Sequence, residues 1–317
     1  MTTEAGWIDV HAHFVPDVFR ATWTAAPPRF RDGMRGLPPW SIVSARESLA
    51  KAGAAAAVLG VPSPGVWFGD RPAAIRLARQ VNEAGAEIVR DAPEFGLYGC
   101  LPLPDVPATL TEVAYCVDEL AVDGFIVFSN WAGHSPGDPQ FLPVWEELDR
   151  RGRPVLMHPC SPCESEGSLG VPGVVAEFPL DTTRAIVDLI LSGALDKFRN
   201  LRLIVSHAGA ALPVLADRMI ALAPALVAGF DGDIQRDLEK LYYDLAGPVV
   251  PRQLRALLDM VSADRLVYAS DAPFMPPHLL GGWRKALEST ELFTDSDRVA
   301  IARETAASLF PRVAGVR

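Results

Sequence analysis

The sequence predicts a (β/α)8 barrel, and three observations support this fold. The chain has 317 residues, which is enough for one large domain of this kind. Apolar runs of strand type alternate with helical patterns eight times along it. Most of these runs are continuous Val, Ile, Leu and Ala, as expected for parallel strands that are covered on both faces. A doubly wound parallel sheet is the alternative, but no G-x-G-x-x-G segment follows a predicted strand.

The predicted elements follow from this alternation. The strands span 7–10, 54–61, 95–101, 122–128, 153–158, 201–206, 241–245 and 265–270. The helices span 44–52, 71–90, 107–120, 140–151, 181–193, 211–222, 250–260 and 295–309. Asp105 just ahead of Pro107 and Asp181 ahead of Ile186 are helix-start signals for two of them.

Two long segments stand between these elements. Residues 14–43 separate the first strand from its helix, and a segment this long in a compact domain is usually a lid or an insertion. Residues 159–179, rich in Pro, Gly and Ser, follow the fifth strand. We therefore expect a single barrel domain over 1–317, with 14–43 as an insertion or lid within it, and both segments beside the substrate.

Composition argues against several classes of function. The formal net charge is −10 and no cluster of Lys and Arg interrupts it, so binding to nucleic acid or to an anionic membrane is not expected. No apolar run reaches the ~18–20 residues of a membrane span. Cys160 and Cys163 form a C-x-x-C, for which free thiols in a reducing cytoplasm are the plainest interpretation; a disulfide or a redox pair is the alternative. We expect a cytoplasmic protein that acts on a small molecule.

Two histidines stand at the end of the first predicted strand. Because strand side chains alternate in direction, His11 and His13 point the same way and Ala12 points the opposite way. Two imidazoles on one side of a strand end can hold a single metal ion at about 2.0–2.1 Å. Taken alone, the pair can equally be two surface histidines near the N-terminus.

Three further predicted strands end in a residue that binds metals or transfers protons. The strand 153–158 ends at His158, and His207 and Asp271 directly follow the strands 201–206 and 265–270. In a barrel, the carboxyl ends of all the strands meet at one mouth. We therefore expect these side chains to converge with the two histidines of the first strand.

The convergent set predicts a metal centre. His11, His13, His158 and Asp271 offer nitrogen and oxygen ligands that suit Zn²⁺, with Mn²⁺ or Fe²⁺ as alternatives. A water bound at the open position would have a pKa of about 7. His207 is then a general acid or base, or a second metal ligand, and both roles stay open. One metal is favoured over two, because no predicted strand ends in lysine.

Other polar residues near the strand ends have less specific signals. His134 on the loop after the fourth strand can contact substrate or be solvated, and the same holds for His278 after the eighth. Asp9 is expected to bind backbone groups or a group behind the ligands. Asp244 ends the seventh strand, where we expect it to orient a ligand histidine, with substrate binding as the alternative.

These segments together resemble the amidohydrolase superfamily. The similar segments are Asp9-Val10-His11-Ala12-His13-Phe14-Val15-Pro16, Met157-His158-Pro159, Ser206-His207-Ala208-Gly209-Ala210 and Ala269-Ser270-Asp271-Ala272-Pro273-Phe274, and the similarity continues to 304–310. The most similar branch is that of aminocarboxymuconate-semialdehyde decarboxylase, with the γ-resorcylate and 6-methylsalicylate decarboxylases alongside. His11 stands where the resorcylate branch often has Glu, and the loop that carries Trp131 looks more like the 6-methylsalicylate type.

The resemblance implies a metal-dependent, non-oxidative decarboxylase, a carboxy-lyase, that acts on a small aromatic or unsaturated carboxylic acid. It implies zinc, or manganese, bound by His11, His13, His158 and Asp271, with His207 and Asp271 in catalysis.

The resemblance also implies substrate contacts and an assembly. Arg218 matches an arginine that reaches the substrate carboxylate of a neighbouring subunit, which implies a homodimer; an ordinary surface arginine is the alternative. We further expect Trp131, His134 and Phe274 to contact the substrate. The arginine that the family has in the insertion has four candidates, namely Arg29, Arg31, Arg35 and Arg46.

Two other functions remain open from the sequence. One is a metal-dependent hydrolase of the same superfamily, acting on a lactone, an amide or a C–C bond, which CO₂ release from an aromatic acid would distinguish. The other is a barrel without catalysis that serves as a binding protein, which failure to hold any divalent metal would favour.

Overall fold

A computed structural model describes residues 6–161 and 172–315, and eight parallel strands surround its centre. They are β1 (Trp7–His13), β2 (Ala54–Gly60), β3 (Phe95–Cys100), β4 (Gly124–Phe128), β5 (Val155–His158), β6 (Leu203–Val205), β7 (Tyr242–Asp244) and β8 (Leu266–Val267). Their order in the sheet is their order in the chain. The predicted (β/α)8 barrel is confirmed, and seven strands lie within the predicted runs, while β1 continues to His13.

Helices follow the strands and cover the outside of the barrel. Within the described residues they are α1 (Asp17–Ala25), α2 (Ile42–Ala52), α3 (Arg71–Asp91), α4 (Val106–Asp118), α5 (Leu142–Arg151), α6 (Glu177–Leu191), α7 (Ala194–Lys197), α8 (Leu212–Leu226), α9 (Ile234–Lys240), α10 (Arg252–Met260), α11 (Pro277–Ser289), α12 (Asp295–Val299), α13 (Thr305–Leu309) and α14 (Pro311–Ala314). The predicted helix 295–309 is divided, because a π-helical turn, Ala300–Glu304, separates α12 from α13.

The strands are buried on both faces, which explains why their sequences do not alternate. Every residue of β1, β3, β4, β5, β6 and β8 is buried. One side of each strand faces the barrel interior and the other faces the helices, so both sides are apolar.

The barrel closes between its first and last strands through individual hydrogen bonds. Val10 N donates to Tyr268 O at 3.0 Å, and His13 N donates to Ala272 O at 2.7 Å. Asp9 reinforces this junction, since its Oδ1 accepts from Ser270 N at 3.0 Å. The segment after β8 is thereby held against the end of β1.

The segment 14–43 contacts neighbouring parts of the barrel. Phe19 and Trp23 of α1 are buried, and the Phe19 ring lies beside the Phe68 ring, with centroids 6.1 Å apart. Trp40 Nε1 donates to His13 O at 3.0 Å, so the insertion also touches the end of β1. Among the helices of the described residues, none has both the length and the apolar character that crossing a membrane requires.

Candidate metal centre

The four side chains predicted as metal ligands lie together at the carboxyl ends of the strands. Each offers one ligand atom, and these atoms lie within 4.8 Å of one another; the residues are His11, His13, His158 and Asp271. β1 supplies two of them, β5 supplies the third, and the segment after β8 supplies the carboxylate. All four are buried.

Hydrogen bonds determine which ring nitrogen of each histidine carries a proton. The Nδ1 atom of His11, His13 and His158 lies, in each case, beside an oxygen that only accepts. These acceptors are, in the same order, Asp244 Oδ2 at 2.8 Å, Gly60 O at 3.2 Å and Pro159 O at 2.6 Å. Each Nδ1 therefore donates, and in a neutral ring Nε2 keeps its lone pair.

The lone pairs meet at one point. The Nε2 atoms of His11 and His13 are 3.2 Å apart, and His13 Nε2 is 3.0 Å from Asp271 Oδ1. Lone pairs and a carboxylate this close repel one another unless a positive charge lies among them. Neutral imidazole nitrogens and a carboxylate are the ligands that Zn²⁺ and Mn²⁺ accept. The residues present therefore fit a bound divalent cation.

The pKa values of the cluster show the same need for positive charge. Burial lowers the pKa of His11, but Asp244 outweighs burial and raises that pKa to about 9. Burial lowers the pKa of His13, and lowers that of His158 well below its ordinary value. Burial would raise the pKa of Asp271, yet the neighbouring imidazoles hold it well below its usual range. Without a metal, a proton on His11 supplies the balancing charge.

His207 lies at the edge of the cluster. Its φ of +56° is a left-handed conformation that residues other than glycine adopt rarely. Its N–H donates to Asp244 Oδ1 at 2.9 Å, and its carbonyl accepts from Gln253 Nε2 at 2.6 Å. These bonds hold its Nε2 3.7 Å from Asp271 Oδ2, with 22% of the side chain exposed. His207 thus faces both the carboxylate and the mouth, as a proton-transferring group must.

Asp244 orients two histidines at once. It is completely buried at the end of β7. Its Oδ2 contacts the His11 ring, while its Oδ1 accepts from the backbone N–H of His207 and, at 3.1 Å, of Ala246. Because both oxygens are engaged, the carboxylate fixes the ring of one histidine and the backbone of the other.

A cleft opens beside the cluster, between the insertion and the ends of β3 to β5. The insertion contributes Arg29, Phe30 and Asp32 to the lining of this cleft. Its walls are mainly apolar and include Val66, Trp67, Leu101, Leu103, Phe128 and Trp131. The Phe128 ring also packs against the His158 ring, with centroids 5.6 Å apart. The cleft therefore offers a planar ring an apolar site that adjoins His158 through Phe128, and its described lining contains none of the four ligands.

The predicted substrate contacts fall into two groups. Trp131 lines the cleft, and the Phe274 ring packs against the His13 ring with centroids 5.3 Å apart. His134 is exposed on the loop after β4, and Arg218 is exposed on α8. Neither belongs to the described lining of the cleft. Substrate contact by any of the four stays a prediction.

The insertion arginines and the cysteines are also placed. Arg29 lines the cleft, whereas Arg31 donates to carbonyls of the insertion itself and Arg46 pairs with Glu94. Cys160 is a buried free thiol in the cleft wall, and burial raises its pKa well above the ordinary value. Cys163 lies outside the described residues.

Several groups that shape the site carry no signal in the sequence. The carbonyls of Gly60 and Pro159 orient ligand histidines, and any residue type offers a carbonyl. Gln253 holds the His207 carbonyl from α10, far along the chain. Asp32 lies in the cleft wall. Its sequence context, the Asp-Gly pair 32–33, predicts only a turn and does not indicate this position.

Comparisons with known proteins match nearly the whole chain. A model of the amidohydrolase family matches residues 8–312. A 6-methylsalicylic acid decarboxylase of Aspergillus aculeatus is 32% identical over 326 aligned residues, which cover 96% of each chain. A decarboxylase with the same name from Penicillium expansum is 31% identical, over 98% of this chain and 97% of its own. The crystal structure of a protein called amidohydrolase II superposes with a TM-score of 0.87 at 28% identity, covering 96% of this chain and 99% of that one.

Proposed function

Because the chain belongs to the amidohydrolase family, we propose that it is a metal-dependent, non-oxidative decarboxylase of a small aromatic carboxylic acid. The observation that carries the proposal is the buried cluster of three imidazoles and a carboxylate, set next to a cleft with apolar and aromatic walls. The 6-methylsalicylic acid decarboxylases that align over nearly the whole chain support the reaction type.

We propose zinc as the metal, held by His11, His13, His158 and Asp271, with manganese as the alternative that the same ligands accept. When bound, the cation polarises an oxygen of the substrate and stabilises negative charge that develops on it. Asp244 and the two carbonyls keep the three rings oriented for it.

His207 is the proposed proton donor. Replacing a carboxylate on an aromatic ring by hydrogen requires a proton at the ring carbon that bears the carboxylate. His207 delivers that proton; the C–C bond then breaks, its electron pair restores the aromatic ring and CO₂ leaves. The His207 ring lies beside Asp271 and 22% of the side chain is exposed, so the ring can take up another proton from solvent.

The insertion 14–43 acts as the lid in this proposal. It brings Arg29, Phe30 and Asp32 to the cleft, and Trp40 fastens it to β1. A cover over the cleft keeps water away from the ring carbon while the proton is transferred.

The test is CO₂ release from 6-methylsalicylate and other hydroxybenzoic acids by the zinc-loaded protein. We expect activity in the wild type and in His278→Gln, an exposed histidine that serves as the control, and loss of activity in His207→Gln. A ring-opened or hydrolysed product without CO₂ would instead favour a hydrolase of the same family.

We also propose a homodimer formed through α8. Two of its apolar side chains are 74% and 75% exposed, namely Val214 and Leu226, on the helix that carries Arg218. A second copy would cover these side chains and bring Arg218 towards another subunit. Sedimentation equilibrium tests this: Leu226→Glu is expected to give monomers where the wild type gives dimers. The cytoplasmic location stays a prediction.

A further inference from the structure

Asp32 is a buried acid in the wall of the cleft that the proposed reaction does not use. Only 9% of it is exposed, although it lies in the insertion rather than in the core of the barrel. Ser161 forms hydrogen bonds to its carboxyl group through both backbone and side chain. The Oδ2 atom is buried and has no hydrogen-bond partner among the described residues. A buried oxygen without a partner destabilises the fold unless something else supplies a donor.

Two side-chain donors near Asp32 are engaged with other described residues. Asn130 Nδ2 donates to Ser161 O at 3.0 Å and to Asp181 Oδ2 at 2.9 Å, and the Ser129 hydroxyl donates to Asp181 as well. The guanidinium of Arg29 stacks on the neighbouring Phe30 ring, 4.8 Å from its centroid. The rest of the described wall is largely apolar. Among the described residues no side chain donates to Oδ2, so a ligand in the cleft can supply the donor.

The position of Asp32 also fits a role at the ligand. Its φ is +49°, a left-handed conformation that aspartate adopts in turns and that glycine adopts as readily. Its partner Ser161 follows the metal ligand His158 by three residues, a stretch that spans about 10 Å at most. Asp32 is thus bonded to the segment that directly follows a metal ligand.

We propose that Asp32 is a specificity-determining residue whose Oδ2 accepts a hydrogen bond from a second hydroxyl or amino group on the ring of the aromatic acid. This inference rests on the proposed function. An acid whose ring carries no such donor leaves Oδ2 unpaired, and a site built for a hydrogen bond discriminates against the analogue that lacks it. The preferred substrates are therefore aromatic acids with a ring donor beyond any hydroxyl next to the carboxylate.

The experiment compares 6-methylsalicylate with its three analogues that have one additional hydroxyl, on carbon 3, 4 or 5. For the wild type we expect kcat/KM to be roughly 10- to 100-fold higher for the best of the three analogues than for 6-methylsalicylate. Asp32→Gly accepts the left-handed backbone and removes the acceptor, so it should lose this preference. Asp32→Asn keeps an oxygen acceptor and should retain part of the preference.

Two outcomes overturn the inference: a wild type with no preference for an additional hydroxyl, or a preference that Asp32→Gly retains in full. A water molecule as the sole partner of Oδ2 would give one of these results. Circular dichroism and metal content establish that each variant is folded.

If no acid releases CO₂, the proposed function fails, and the same comparison is made by calorimetry with 3-methylphenol and its hydroxylated analogues. A binding preference that Asp32→Gly loses then upholds the role of Asp32, and equal affinities overturn it.

Discussion

Replacing Asp244 by asparagine should weaken metal binding, although Asp244 is not itself a metal ligand. Burial would raise the pKa of Asp244, but the His11 imidazole outweighs burial and lowers it, so the group is a carboxylate. As a carboxylate it accepts from His11 Nδ1 at 2.8 Å and from two backbone N–H groups. An asparagine cannot satisfy all three, because one side of its amide only donates.

Either orientation of the asparagine amide is unfavourable. If its NH₂ faces His11, the ring must accept at Nδ1 and carry its proton on Nε2, which removes the lone pair offered to the metal. If its oxygen faces His11, the NH₂ opposes the backbone N–H groups of His207 and Ala246, and the support of His207 is lost. Loss of such an orienting partner costs about 10- to 100-fold in metal affinity, or about 1.4–2.8 kcal/mol.

Competition for zinc with a chelator of known affinity measures this loss. Asp91→Asn, at the exposed end of α3, is the matched control and should bind zinc as the wild type does. If Asp244→Asn binds zinc within twofold of the wild type, the tautomer argument for the three histidines is wrong.

Three further predictions follow from the same contacts. In the metal-free protein, the pKa of His11 is raised to about 9, so its proton stabilises the fold at low pH, and this stabilisation is lost as the pH rises from about 6.5 through 9. Zinc binding at pH 7.5 should therefore release about one proton, which calorimetry in buffers of different ionisation enthalpy measures; release of no proton would contradict the assignment. His207→Gln should lower kcat by about 10²- to 10⁴-fold with unchanged zinc content by elemental analysis, since its ring lies outside the four clustered ligand atoms; a parallel loss of zinc would make it a ligand instead. Trp145→Ala should lower the free energy of unfolding by about 3–5 kcal/mol in urea denaturation, because the side chain is completely buried and donates to Pro136 O at 2.8 Å; a loss below 1 kcal/mol would show that the core refills the space.

The barrel and the convergence of the four clustered side chains could be predicted, because both follow from patterns of single residues along strands. An H-x-H at one strand end, with His158 at another and Asp271 just beyond a third, needs only the rule that parallel strands share a carboxyl edge.

Helices that depend on tertiary packing were harder to predict. α11 contains Gly281 and Gly282, which weaken helix propensity, yet a helix forms. A Cβ at Gly281 would lie 3.3 Å from Lys51 O, so glycine permits the close approach of α11 to α2. α1 in the insertion did have a signal, since Phe19 and Trp23 are spaced by four residues and both are buried, but the surrounding prolines favoured a loop.

The role of Asp32 could not be predicted for a different reason. It depends on which groups around it already have partners, and this follows from the packing of the insertion against the segment after β5.

The metal site can form only after the last strand of the barrel has been synthesised, because its donors come from both the first strand and the segment after the last one. Two ligands lie on the first strand, and the carboxylate that joins them, Asp271, stands 258 residues after His13. During synthesis on a ribosome, no partial product that ends before the last strand holds the full set of donors. An ion held by these donors is therefore captured late, and it then cross-links the first and last strands of the barrel, as a disulfide would in an oxidising compartment. A chelator should accordingly free the first and last strands before it disturbs the middle of the barrel.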